Sequence, residues 1–180
     1  NWNTTLRATG VTIQAGGLMA LPPAYADGQM SNNICILCTS LVVSAGGAIN
    51  TDGKGYRGGI RLTEHRGFGP GGGGFVSGGG HGGRGGRYQS YVRGVAYDSD
   101  AGPLLPGSGG GGESSANGGD GGGAIRVMGA ESVTVDGTIT ANGTDSPPLF
   151  SGGGGSGGSI FISCSTIQGA GGAITARGGA

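Results

Sequence analysis

The residue sets in this chain that could do chemistry are few, and each lacks a part that its chemistry needs. Gly53-Lys-Gly-Tyr-Arg-Gly58 has G-x-G-x-x-G spacing and follows a strand-like run. A dinucleotide loop works by presenting pyrophosphate to a helix N-terminus, and the glycine-rich residues that follow predict no helix. Cys35-Ile-Leu-Cys38 is a C-x-x-C pair, but both intervening residues are apolar and no helix follows to activate a thiol. His65 and His81 each stand without a second His or Cys at zinc-binding spacing. Asp98-Ser-Asp100 with Gly102 is half of a calcium loop, and Glu113 and Asp120 sit in glycine turns, yet the G-G-x-G-x-D nonapeptide of calcium β-rolls is absent. Arg126, Glu131 and Asp136 in one repeat, against Arg177 alone in the next, supply no convergent acid–base pair for cleaving a polysaccharide. No catalysis, cofactor or metal is expected.

Binding signals are also thin. Arg57-Gly-Gly and Arg84-Gly-Gly-Arg87-Tyr88 have the form of RGG segments that bind single-stranded nucleic acid. Such segments usually belong to basic chains, whereas here ten basic residues balance ten acidic ones, so no nucleic-acid partner is expected. Thr138, Thr140 and Thr175 form too short a threonine ladder for an ice-binding surface. Asn3-Thr-Thr and Asn142-Gly-Thr are glycosylation sequons, and Ser146-Pro147-Pro148 is a candidate for O-linked sugar. Asn3 and Asn142 are the predicted glycan sites.

The elements that would carry these residues follow from a repeat. Gly47-Ala-Ile-Asn-Thr-Asp-Gly53, Gly137-Thr-Ile-Thr-Ala-Asn-Gly143 and Gly172-Ala-Ile-Thr-Ala-Arg-Gly178 are short strands centred on Ile49, Ile139 and Ile174 and closed by glycines. The last two extend backwards without a gap, since Ala124 to Gly143 spans as many residues as Ser159 to Gly178. Strand, turn, strand and glycine turn, stacked on copies, describe coils of a β-solenoid. Glycine supplies 49 of 180 residues, without the three-residue period of collagen. The region from Gly53 to Gly123 reads either as flexible loop or as packed polyproline-II-like strands, which glycine permits because it has no Cβ. No run approaches the ~18 apolar residues of a membrane helix, so no membrane insertion is expected.

Residues 1–30 read as an N-terminal arm or capping strand, and residues 31–180 as a glycine-rich solenoid domain. On the arm, Leu6 and Ala8 alternate in one phase, and Val11, Ile13 and Ala15 in the other after Gly10, which suggests a bulge or bend. Cys38 and Cys164 precede corresponding glycines by nine and eight residues. Equivalent places in stacked coils predict a Cys38–Cys164 bridge, with Cys35–Cys164 as the alternative, and an oxidising compartment. The chain ends at Ala180 directly after a coil strand, an uncovered template for another chain.

The order Gly-Gly-Gly-Ala-Ile-Arg-Val, Val-Asp-Gly-Thr-Ile-Thr-Ala-Asn-Gly, Gly-Gly-Ser-Gly-Gly-Ser-Ile-Phe-Ile and Gly-Ala-Ile-Thr-Ala-Arg-Gly-Gly, with Gly-Gly-His-Gly-Gly-Arg-Gly-Gly at 79–86, resembles a glycine-rich β-solenoid module. That module occurs in extracellular and cell-surface structural proteins of protists and some bacteria. The resemblance covers about residues 40–180, implies a surface-exposed structural or adhesive role, and brings no catalytic residue. The expectation is therefore an all-β, glycine-rich β-helix or solenoid with an N-terminal extended arm. Its expected work is that of a glycosylated subunit of an extracellular filament or surface appendage. Copies would join head to tail by strand-edge pairing through Leu6, Val11, Ile13 and Ile174. The alternative is a cell-surface adhesin or glycan-binding stalk module.

Overall fold

Four apolar columns decide the architecture. Leu6, Ile36, Val127 and Ile162 are aligned across neighbouring strands, as are Val11, Leu41, Val133 and Ile167. Met19, Ile49, Ile139 and Ile174 make a third column, and Ile34, Ile125 and Ile160 a shorter fourth. Each column stacks like on like in parallel register, so strand neighbours share one buried face. The computed structural model describes residues 5–29, 33–147 and 151–180. Its strands are β1 (Thr5–Ile13), β2 (Leu18–Ala20), β3 (Asn33–Val43), β4 (Ala48–Asn50), β5 (Ala124–Val135), β6 (Thr138–Thr140), β7 (Ser159–Gln168) and β8 (Ala173–Thr175). They form two parallel four-stranded sheets, ordered β1-β3-β5-β7 and β2-β4-β6-β8. A long strand and the short one after it make one rung, and four rungs stack.

Tight turns join the two strands of a rung. In the second rung, Gly47 N–H donates to Ser44 O (2.8 Å), with Gly46 at φ +79°, a conformation that disfavours a side chain. The change of phase at Gly10 recurs in the second rung. Inward positions Ile34, Ile36 and Cys38 give way to Leu41 and Val43. No bulge interrupts the β1–β3 register, however, and β1 is one continuous strand. The bulge lies in β5, at Gly129 (φ +72°). The ungapped match between the last two repeats thus hides two offsets that cancel. The residue added in β5 is offset by an extra one in the turn before β8, so Ile139 still faces Ile174.

The closed glycine-rich β-helix with an extended N-terminal arm, which the repeats predict, is not what forms. Two sheets are present, no helix occurs among the described residues, and the remaining side of the stack carries no strand ladder, only isolated bridges. Residues 5–20 are no arm: β1 pairs with β3 and β2 with β4. The reason lies in the glycine-rich segments between the rungs. They form a body of their own from residues 53–123 and 151–158.

Segment 107–112 shows how that body is built. Gly107 and Gly110 donate to Gly122 and Gly119; Ser156 and Gly153 donate to Ser108 and Gly111; Gly109 and Gly112 donate to Phe68 and His65, all at 2.7–3.0 Å. Every third residue faces the same neighbour. That is the periodicity of a polyproline-II-like helix with three residues per turn, packed among three others. Contact is backbone to backbone: a Cβ on Gly111 would collide with the Gly74 carbonyl, and one on Gly110 with the Gly153 carbonyl. Of the two readings open for this region, packed and ordered is the one that forms.

Candidate functional site

The side-chain core is complete only in the middle rungs. Ile36, Leu41, Val43 and Ile49 of the second rung, and Val127, Val133 and Ile139 of the third, are 0% exposed. The same columns end in solvent at both edges. Leu6 is 43% exposed on the first rung, and Ile167 and Ile174 are 55% and 43% exposed on the fourth. Val11 and Ile13 are half-buried and pack against the core from the first-rung edge. The four residues expected to mediate assembly therefore lie on two opposite edges of the stack, Leu6, Val11 and Ile13 on one and Ile174 on the other.

A cleft of about 960 Å³ opens at the fourth rung. Ile160, Ile174 and Ala176 form one side, and residues 81–86 and 97–100 overhang it from the other. The three-residue period of the glycine body explains its lining. On segment 153–158, Gly153 and Ser156 donate to Gly111 and Ser108, and Gly155 and Gly158 to Thr144 and Ala141. The third pair of N–H groups, on Gly154 and Gly157, has no acceptor among the described residues and lies at the cleft. Ala176 and Gly178 complete the row. Their counterparts Thr51 and Gly53 donate to Thr140 and Asn142 of the next rung, and Ala141 and Gly143 to Thr175 and Arg177. No further rung follows among the described residues, and there Ala176 and Gly178 N–H find no acceptor.

A side-chain staple runs beside these bonds. Asn142 N–H donates to Asp52 Oδ1 (2.6 Å), and Arg177 N–H to Asn142 Oδ1 (2.8 Å). The corresponding residue of each rung thus accepts from the one above it. The chain of staples stops at Arg177, whose side chain has no acceptor. Its first-rung counterpart is Pro22, which has no N–H to donate. Asn142, the predicted glycan site among the described residues, is half-buried and already holds one rung to the next. Asn3 lies outside the described residues.

The expected disulfide does not form. Cys35, Cys38 and Cys164 are free thiols. Cys38 is on β3 and Cys164 on β7, with β5 between them and Ala130 opposite Cys164. Two strand spacings, about 9–10 Å, exceed the ~7 Å limit between bridged Cα atoms. Counting from the glycines found the correct level of the strand but skipped the rung between. Burial pushes the Cys38 thiol up, away from reactivity.

One polar cluster escaped the sequence reading. His81, which has no partner nearby in sequence, meets Asp98 and Ser159 at the cleft. His81 Nε2 lies 3.3 Å from Asp98 Oδ2 and 3.5 Å from Ser159 Oγ. The three residue types invite comparison with a hydrolase triad, in which Ser and Asp occupy opposite ring nitrogens. Here both approach Nε2, and Ser159 Oγ donates to Leu105 O at 2.6 Å, so the hydroxyl proton points away from the base. Asp98 (φ +70°) instead accepts the N–H groups of Ser99, Leu104 and Leu105. Burial raises its pKa, but those bonds and His81 outweigh burial and hold the carboxyl below its ordinary value. Tyr97 O–H donates to Pro106 O, and burial pushes its phenol well up. The cluster ties the overhang to β7. Among the described residues no group of three or more His, Cys, Asp or Glu could hold a metal ion.

No protein-family model matches the chain, and neither a curated protein nor a solved structure is significantly similar to it.

Proposed function

We propose that this chain is a structural subunit of an extracellular filament or surface appendage, built by stacking the first rung of one copy on the fourth rung of the next. The observation that carries this reading is the pair of unfinished edges: inward-facing apolar columns end in solvent at both, and at one stands a row of N–H groups with no acceptor among the described residues. Continuing the register places Leu6 of the incoming copy on Ile162, Val11 on Ile167 and Met19 on Ile174. It also places the Ala20 carbonyl over Ala176 N–H, the first of the N–H groups at this edge. At the staple position Arg177 offers no acceptor and Pro22 requires none, so the junction leaves no amide stranded there. Glycans on Asn142, and on Asn3, belong to the same extracellular reading.

Four rungs at about 4.8 Å give an axial rise of about 19 Å per subunit. Electron microscopy at rising concentration should show filaments with that repeat. Ile174→Lys should abolish them while the subunit stays folded, because a charge would be buried unpaired at every junction. Removing residues 1–15 is the poorer test, since it strips a paired strand and uncovers Ile36 and Leu41. Single particles at every concentration, or filaments indifferent to Ile174→Lys, would overturn the proposal. An unmodified Asn142 in mass spectra of the chain from its native source would remove the glycan from it.

A further inference from the structure

The balanced net charge conceals a segregation. Residues 60–97 carry five arginines (Arg61, Arg66, Arg84, Arg87, Arg93) and one acidic residue, Glu64; the rest of the chain carries five basic and nine acidic residues. All five arginines are exposed, and none is in an ion pair among the described residues. The acidic residues elsewhere are in large part occupied: Asp27, Asp52, Asp98, Asp120, Asp136 and Asp145 each accept a backbone N–H. This segment therefore carries four more basic than acidic residues, of which Arg84 shares a cleft with Asp98 and Asp100, while many of the opposite charges are committed to holding the fold. A neutral total gives no long-range attraction, but a segregated one does, over roughly a Debye length of 8–10 Å.

Two of those arginines border a hollow of about 320 Å³, walled by Pro70, Tyr91, Val92 and Val95 with Arg66 and Arg93 beside them. Val92 is 72% exposed and Val95 51%, a large apolar exposure for a surface with no strand edge to complete. The hollow is framed rigidly, since Gly74 N–H donates to Val92 O at 2.7 Å. Tyr91 is flanked by Phe75 at 4.9 Å and Tyr88 at 6.3 Å between ring centroids, and His65 continues the row at 5.5 Å from Phe75.

We propose that this hollow binds an acidic polysaccharide, with Arg66 and Arg93 pairing with carboxylate or sulfate groups on successive sugars and Pro70, Val92 and Val95 receiving the apolar faces of the rings. Charge complementarity selects a polyanion, and the guanidinium fork suits the two oxygens of a carboxylate or sulfate. The ring row argues for sugar over single-stranded nucleic acid. Base stacking uses open aromatic faces, and the Tyr91 ring already packs against Tyr88 and Phe75. The proposal goes beyond filament assembly and stands without it, because the hollow and the rung edges share no lining residue.

The test is retention of the purified chain, at concentrations below assembly, on immobilised alginate, a polyuronate, with neutral dextran and an oligothymidylate as comparison matrices. Binding to alginate alone is expected, falling steeply between about 0.05 M and about 0.3 M salt. Arg66→Gln with Arg93→Gln should weaken it by at least about tenfold. Arg7→Gln with Lys54→Gln removes the same charge elsewhere and should change it by less than about threefold. Retention on alginate no better than on dextran, or binding unaffected by the Arg66 and Arg93 changes, would overturn the site. Equal binding to oligothymidylate with the same arginine dependence would overturn the sugar assignment and install nucleic acid in its place.

Discussion

The rung stack and the glycine body solve the same problem with opposite means. In the stack, side chains carry the specificity: one column of Met19, Ile49, Ile139 and Ile174 is enough to set the register of four short strands. In the glycine body the backbone carries it, and the requirement on each residue is that nothing be attached. A stack position tolerates another apolar residue of similar volume, as Met19 in an isoleucine column shows. An interior glycine tolerates no side chain, because the space a Cβ would need already holds a carbonyl. Hydrophobic burial stabilises the first region, and backbone hydrogen bonds in close packing stabilise the second.

The sharpest way to break this symmetry of roles is Gly111→Ala. One methyl group would collide with the Gly74 carbonyl and break the bond from Gly111 N–H to Ser77 O (2.8 Å). Backbone on every side cannot yield as a flexible side chain would. A loss of more than about 3 kcal/mol is expected, read as insoluble expression or a collapsed thermal transition. A well-folded Gly111→Ala variant would show that the bundle is looser than its hydrogen bonds imply.

Next come two isoleucines of one column. Ile139→Ala, at 0% exposure, should cost about 2–5 kcal/mol through lost burial and a cavity. Ile174→Ala, 43% exposed at the column's end, should cost less than about 1 kcal/mol in the isolated subunit. Denaturant titration of dilute protein measures both. If the two costs converge at high concentration, the fourth rung has been covered by a neighbour.

What was legible in the sequence divides along the same line. Side-chain patterns revealed the three isoleucine strands and the phase change at Gly10. They gave the first rung only as an imperfect capping strand or an arm, because Met19 replaces isoleucine and Leu21-Pro22-Pro23 replaces the Thr51-Asp52-Gly53 corner. The glycine body left almost no pattern to read, since a three-residue period is invisible when every position is glycine. It emerges only from the partners of successive amides. The His81–Asp98–Ser159 cluster was equally hidden: Ser159 is 78 residues from His81, and the body that brings them together has no side-chain code. The disulfide failed for lack of topology, because spacing gives the level along a strand and not the number of strands between.

A smaller effect compares two carboxylates, one in each kind of junction with the glycine body. Asp98 has its pKa held below the ordinary value, as backbone N–H bonds and His81 outweigh burial. Its stabilisation is present above the unfolded-state pKa of about 3.9 and is lost as pH falls through the lowered folded value. Asp120 is the reverse. Burial raises its pKa, only partly offset by the Gly58 N–H, Arg57 and Lys54. Its contribution is full below the ordinary value and is lost as pH rises through the raised one. Melting temperature against pH should therefore flatten on the acid side in Asp98→Asn, and on the side above pH 4 in Asp120→Asn. Asparagine keeps an oxygen for the backbone donors and tolerates the positive φ of Asp98. Unchanged profiles would mean that neither site is as buried as its neighbours suggest.

The smallest expected effect isolates the principle. Gly82, Gly83 and Gly86 stand in the same glycine run as Gly79, Gly80 and Gly85, and composition cannot tell the two sets apart. Geometry can. A Cβ on Gly82, Gly83 or Gly86 would meet nothing within 4 Å, whereas one on Gly85 would strike the Gly78 carbonyl. Gly82→Ala should thus change stability by no more than about 0.5 kcal/mol, and Gly85→Ala by several times that. Gly82 and Gly86 also line the cleft beside the fourth-rung edge on which the incoming rung is proposed to stack. A methyl group there leaves the dilute subunit untouched and narrows the cleft on the overhang side. Gly82→Ala with normal stability and impaired filament growth would show that this glycine is kept open for a second copy. Gly82→Ala with normal growth would confine the junction to the rung edges themselves, and the overhang would then serve only to shield them.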